Sequence, residues 1–209
     1  MNAHLDAGIS AEIREAVAGL PLYKNGPGVD YTGAKVAYTT NTILVHGRSM
    51  QRDNAGLYVP NRHTEALLVQ RPQGLWSGVS GYVDTVHDPT GVIPDDEFDP
   101  IAFTARTELA EECNLSPAEI DLVELHLGER FSRPHYVGRI RVLPLLGIYI
   151  GEQKPHVVPN RHELIDHRWV GLGNIARLPN LLPGYLSHTL PRALCTLGLR
   201  AAEIQELIV

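Results

Sequence analysis

The chain has 209 residues, 44% of them hydrophobic and 20% charged, with a formal net charge of −6. Those proportions exclude disorder as the main state, and the length suits one generous domain rather than two full cores. No basic tail or stripe offsets the acidic balance, which excludes bulk nucleic-acid binding and leaves phosphate handling to local cations or a metal ion.

The two cysteines, Cys113 and Cys195, sit in no CxxC pattern, which excludes a disulfide scaffold and a cysteine-rich zinc site. The first twenty residues carry acids among their apolar positions and do not read as a signal peptide. No apolar run is long enough to span a bilayer, so the expected setting is soluble and cytoplasmic, without membrane partners.

In chain order, residues 10–19 read as a short amphipathic helix, with Ser10 as N-cap and Ile13, Val17 and Leu20 at helical spacing. A Gly/Pro-rich stretch follows. Residues 1–34 are therefore taken as a helical extension and linker, and residues 35–209 as the main domain. The extension is expected to cover a sheet edge or to join a homodimer interface.

Strands are expected at Val36–Val45, Ala66–Gln70, Trp76–Val83, Leu122–Phe131, Val142–Ile150 and His167–Val170, each rich in β-formers and bounded by turn residues. One strong helix is expected over Pro100–Cys113, with Ile101, Ala102, Ala105, Leu109 and Cys113 along one side. The end of the chain reads as helical over Leu186–Leu197, interrupted near Pro191, and again over Ala201–Ile208. This order implies an α+β fold in which a mixed sheet lies between helices.

The helix carries the chemistry. Glu108, Glu111 and Glu112 stand at i, i+3 and i+4, so three carboxylates share one face within a turn. Their mutual repulsion, a few tenths of a kcal/mol per pair on an exposed helix, is relieved by a divalent cation. Oxygen-only ligands favour Mg²⁺ or Mn²⁺ over zinc. By spacing alone the trio also reads as an ordinary solvated face, and the flanking sequence has to decide.

Upstream, Trp76-Ser77-Gly78-Val79-Ser80-Gly81-Tyr82-Val83-Asp84 reads as a strand running into a glycine turn and an acid. Together with Thr107-Glu108-Leu109-Ala110-Glu111-Glu112-Cys113-Asn114-Leu115, it resembles the Nudix hydrolase signature. That signature is a Gly, five residues, a Glu, seven residues, then Arg-Glu-aliphatic-x-Glu-Glu-x-Gly-aliphatic. Gly81 matches the opening Gly, and Glu108, Leu109, Glu111, Glu112 and Leu115 match the helix. The departures are Thr107 for Arg, Asn114 for Gly, at best Asp99 for the intermediate Glu, and an acidic insertion of about a dozen residues between turn and helix. Thr107 cannot orient the glutamates by charge-assisted bonds as the family's Arg does. Arg106 is rotated by about 100° and is not expected to replace it. Asn114 tolerates the left-handed conformation that ends a helix.

Downstream, Arg161-His162-Glu163-Leu164-Ile165-Asp166-His167-Arg168-Trp169-Val170 resembles the family's late segment, in which a Glu six residues before a Trp acts as a base in some members. Glu163 holds that spacing, although it also reads as a loop cap. The resemblance covers roughly residues 35–190. It implies an α/β/α sandwich that hydrolyses a small-molecule diphosphate linked to another group, using Mg²⁺ or Mn²⁺ held by Glu108, Glu111 and Glu112. Glu112 or Glu163, with Glu111 beside them, would handle the proton of the attacking water. Gly81 would approach the substrate closely for want of a Cβ. Arg130 and Arg133 are candidate phosphate contacts that also read as surface arginines. Trp76 and Tyr82 are candidate stacking residues, Trp76 reading equally as core.

Other motifs are set aside. His162 and His167 are five apart rather than four, so they do not form a zincin pair. Gly78-Val79-Ser80-Gly81 lacks the spacing of a nucleophile elbow. The alternative from another class is a Nudix-like module that binds a nucleotide without turning it over, which Thr107 and the lengthened box favour. An isomerase of prenyl diphosphates on the same scaffold would need a proton donor in the pocket, and Cys113 falls on the apolar side of the helix.

Overall fold

The computed structural model describes residues 37–82, 100–123, 135–137 and 140–208. The expected helix at 10–19, the extension at 1–34, the acidic insertion, and Arg130 and Arg133 lie outside the described residues.

Two ten-residue strands, β1 (Ala37–His46) and β8 (Ile140–Tyr149), pair in parallel along their whole length, Ala37 with Ile140 through His46 with Tyr149. Both are dominated by β-branched and large apolar residues, as strands buried on two faces require. Around them lie β4 (Glu65–Gln70), β5 (Trp76–Ser77), β6 (Ile120–Val123), β7 (His135–Val137) and β9 (Asp166–Gly171). The order is β5-β4-β1-β8-β6, with β7 also on β8 and β9 on β4. Pro144 lies in β8 opposite Asn41 of β1. A separate hairpin joins β2 (Gln51–Arg52) to β3 (Tyr58–Val59).

One splay in the sheet positions the functional region. β4 pairs antiparallel with β1 at Leu44 and Val45 only. The chain then reverses through Arg71-Pro72-Gln73-Gly74, where Gly74 N–H donates to Arg71 C=O at 2.8 Å and Gly74 takes φ 80°. Pro at the second position and a left-handed Gly at the fourth suit such a hairpin. The returning segment pairs with the end of β4 as β5 and then bridges β1 at Thr42–Val79 and Thr39–Tyr82. Of the expected strand over Trp76–Val83, the described part, Trp76–Tyr82, is thus a short ladder followed by two isolated bridges, wedged where β1 and β4 part.

Alternation along β1 makes two cores. Ile43 and Val45, with Ala66, Leu68, Trp76, Leu146 and Ile148, pack beneath the helices α2 (Leu172–Ile175), α3 (Leu190–Cys195) and α4 (Ala201–Ile208). A turn of π-helix at Tyr185–Thr189 runs into α3, so the chain keeps its helical course through Pro191, which sits in the first turn where its missing N–H costs nothing. On the opposite face Leu44, Leu67, Val69 and Val79 pack against α1 (Pro100–Cys113) through Leu109 and Cys113, with Leu115 just beyond the helix. The architecture is an α+β sandwich, a mixed sheet between helical layers. None of the described helices is long and apolar enough to cross a membrane.

Candidate active site

Helix α1 spans the expected residues. Pro100 opens it, and Ala105, Leu109 and Cys113, four apart, are fully buried against the sheet. It ends at Asn114, whose φ of 55° is left-handed, with Asn114 N–H donating to Ala110 C=O at 2.9 Å. Asn therefore does what glycine commonly does at this position.

The carboxylates of α1 do not form one solvated ridge. Glu111 faces solvent, Glu108 is half-buried, and Glu112 is only 1% exposed. Carboxylate oxygens of Glu108, Glu112 and Glu163 lie within 4.8 Å of one another, and Glu111 is not in that group. Helix spacing alone ranks Glu108, Glu111 and Glu112 together; the sheet separates them, because the side of α1 that bears Glu112 turns toward the end of β4.

Glu163 reaches the cluster on a turn fastened to α1 itself. The last carbonyls of the helix, Glu112 and Cys113, accept from Asn160 N–H at 2.8 Å and Val158 N–H at 3.1 Å. Asn160 in turn accepts from Glu163 N–H at 2.9 Å and Leu164 N–H at 2.8 Å, and fully buried Leu164 anchors the turn in the α1-side core. Orphan helix-end carbonyls thus organise the loop that carries the third acid.

Gly81 closes the site from the sheet. Its carbonyl accepts from Thr40 N–H at 2.8 Å and from Thr39 Oγ1 at 2.7 Å, pinning the backbone to the start of β1. A Cβ at this position would collide with the Glu108 carboxylate. The missing Cβ is what leaves room for the Glu108 carboxylate. Tyr82 beside it is 41% exposed, whereas Trp76 is core, with the Arg168 guanidinium 4.9 Å above its ring.

Sequence reasoning missed Arg71. From the end of β4 its guanidinium grips both oxygens of Glu112, Nη1 on Oε1 and Nη2 on Oε2, the latter at 3.1 Å. Nη2 also donates to Ser80 C=O at 2.9 Å and Ser80 Oγ at 2.8 Å. One signal for it was present: Arg71 is the single Lys or Arg between Arg62 and Arg106. Arg106 turns away, as its helical angle implied, and donates to the carbonyls of Pro117 and Ile120.

Burial first, then the charges of Glu112, Glu111 and Glu163, raises the Glu108 carboxyl to about 8. Burial likewise raises Glu112, to about 7, against the opposing pull of Arg71. Both acids therefore bind their protons more tightly when folded than when unfolded. The folded state holds the extra protons from the ordinary carboxylate range up to about pH 8, so metal-free stability falls as pH rises through that window. In chelator the melting temperature should drop between about pH 5 and pH 8, and Mn²⁺ should reverse the drop by binding the deprotonated acids. A flat profile in chelator would contradict the raised values.

An all-oxygen set of three converging carboxylates, costly to ionise together, fits a hard divalent cation. The family model of the NUDIX domain matches residues 50–189, about two thirds of the sequence and all of these acids. The chain belongs to the NUDIX family. Among solved structures, it is similar to an ADP-ribose pyrophosphatase from Streptococcus suis at 19% identity, covering 79% of this chain and 92% of that one with a TM-score of 0.46. A C. elegans Ap4A hydrolase is also 19% identical, covering 68% and 85% with a TM-score of 0.43. The NUDIX domain of Shewanella oneidensis NrtR, complexed with ADP ribose, is 16% identical, covering 83% and 92% with a TM-score of 0.45. No curated protein matches significantly. Of the residues whose spacing resembles the family signature, Gly81 and Glu108 lie against each other.

Proposed function

We propose that this NUDIX protein is a Mg²⁺- or Mn²⁺-dependent pyrophosphohydrolase acting on a nucleoside diphosphate derivative or a nucleotide. The observation that carries the reading is the convergence of Glu108, Glu112 and Glu163 within 4.8 Å beside Gly81. Glu108 and Glu112 would hold the cation, with Glu111 at the exposed rim available to a further ion. A cation held there would supply charge neutralisation on the diphosphate oxygens and make an attacking water more acidic.

The chain's own groups divide the remaining work. Glu163 is the exposed acid of the three, free of the Arg71 ion pair, and is the better placed to take the proton of the attacking water. Glu112, ion-paired and buried, serves as the fixed anchor. The backbone at Gly81 forms the floor of the site. Arg130 and Arg133 remain candidates for contacts to the substrate's phosphates.

The test is a panel of nucleoside diphosphate sugars, dinucleoside polyphosphates and nucleoside triphosphates, incubated with Mg²⁺, with Mn²⁺, and with chelator. Metal-dependent release of a monophosphate or of phosphate is expected. Silence across the panel, together with calorimetric binding of a nucleotide that needs no metal, would instead support the non-catalytic nucleotide-binding module that Thr107 favours.

A further inference from the structure

Resting on the metal-dependent reading of this site, we infer that Arg71 is its positioning residue, supplying from the end of β4 the cation that the helix lacks at Thr107. From the residue just past β4, Arg71 joins two other pieces of the fold at once: the Ser80 backbone and hydroxyl next to Gly81, and both oxygens of Glu112 on α1. Glu112, which faces Glu108 beside Gly81, is thereby fixed by one guanidinium that spans turn and helix. A carboxylate offers about four lone-pair sites, so a fork that occupies one on each oxygen leaves the others directed at the cluster. The planar fork also removes rotation about the end of the Glu112 side chain, which a point charge on a flexible stem would leave free. Glu112 is buried and Arg71 half-buried, with side-chain exposures of 1% and 21%, which limits the access of water to the carboxylate end of the pair.

Mn²⁺ titration of the full chain by calorimetry, alongside steady-state kinetics, tests this. Arg71→Met should weaken Mn²⁺ binding by roughly 10- to 100-fold, the usual cost of losing a group that orients a ligand. In that variant kcat should fall with KM little changed. Arg71→Lys should recover only part of both losses, and added ethylguanidinium should restore Mn²⁺ affinity to Arg71→Ala. A brace needed only for stability would lower the melting temperature and show no guanidinium rescue. If Arg71→Met does not fold, the Arg71→Lys protein decides, wild-type Mn²⁺ affinity and kcat there overturning the role of the fork. A folded Arg71→Met with unchanged Mn²⁺ affinity overturns the inference alone. A wild type that binds Mn²⁺ yet hydrolyses nothing overturns the hydrolase and leaves Arg71 tested by binding. A wild type that binds no Mn²⁺ overturns both.

Discussion

Glu112→Gln is expected to lose roughly 10²- to 10³-fold in kcat, the scale of removing one preorganised electrostatic group, while remaining folded. The substitution keeps the shape of the side chain and one oxygen for Arg71 but removes the charge. Because burial already raises Glu112 to about 7, that charge is a cost to the metal-free fold at neutral pH. The variant should therefore melt no lower than wild type in chelator at about pH 8, and the stabilisation that Mn²⁺ gives the wild type should shrink. Thermal melts with and without Mn²⁺, paired with turnover, separate these effects. A fully active Glu112→Gln would remove Glu112 from the mechanism. A variant that fails to fold would mean that the ion pair with Arg71 is chiefly structural.

Gly81→Ala should be nearly as damaging for a different reason. The added methyl meets the Glu108 side chain rather than backbone, and Gly81 has no positive φ to lose. The fold can accommodate it by swinging Glu108 aside, so the cost falls on the site. Activity should drop by roughly 10²-fold, the scale expected when a reacting group is displaced by about an ångström. Mn²⁺ affinity should weaken while the melting temperature in chelator stays near wild type. If Gly81→Ala keeps wild-type Mn²⁺ affinity, the contact between Gly81 and Glu108 does not set the site. Full activity with Glu108→Gln would remove that acid altogether.

The two substitutions also mark where sequence reading stops. Helix α1 was legible to the residue because periodicity, an opening proline and an asparagine able to adopt a left-handed φ all act within a few positions of one another. The long strands were legible by composition, and the sandwich followed from their order. The β2–β3 hairpin, β7 and α2 were not, being too short to show a period. The acids were ranked by spacing along the helix, which holds Glu111 and Glu112 equivalent. Only the packing of α1 on the sheet makes one of them buried and the other exposed. Glu163 was legible from its distance to Trp169, whereas the turn that delivers it depends on helix-end carbonyls that no pattern along the chain announces. Arg71 was missed because its partner is 41 positions away, and an arginine at a strand end has no local signature.

The brace between β4, the glycine turn and α1 bears on how this protein could have diverged. Gly81 and Glu108 are kept in register through space, so the length of chain joining them is released from the duty of aligning them. Lengthening a connection costs little, growing only with the logarithm of its size. The interval between turn and helix is thus a place where residues can accumulate without detuning the acids. Variation in that interval, and not in the carboxylates, is where differences in substrate preference among proteins sharing this arginine should be sought.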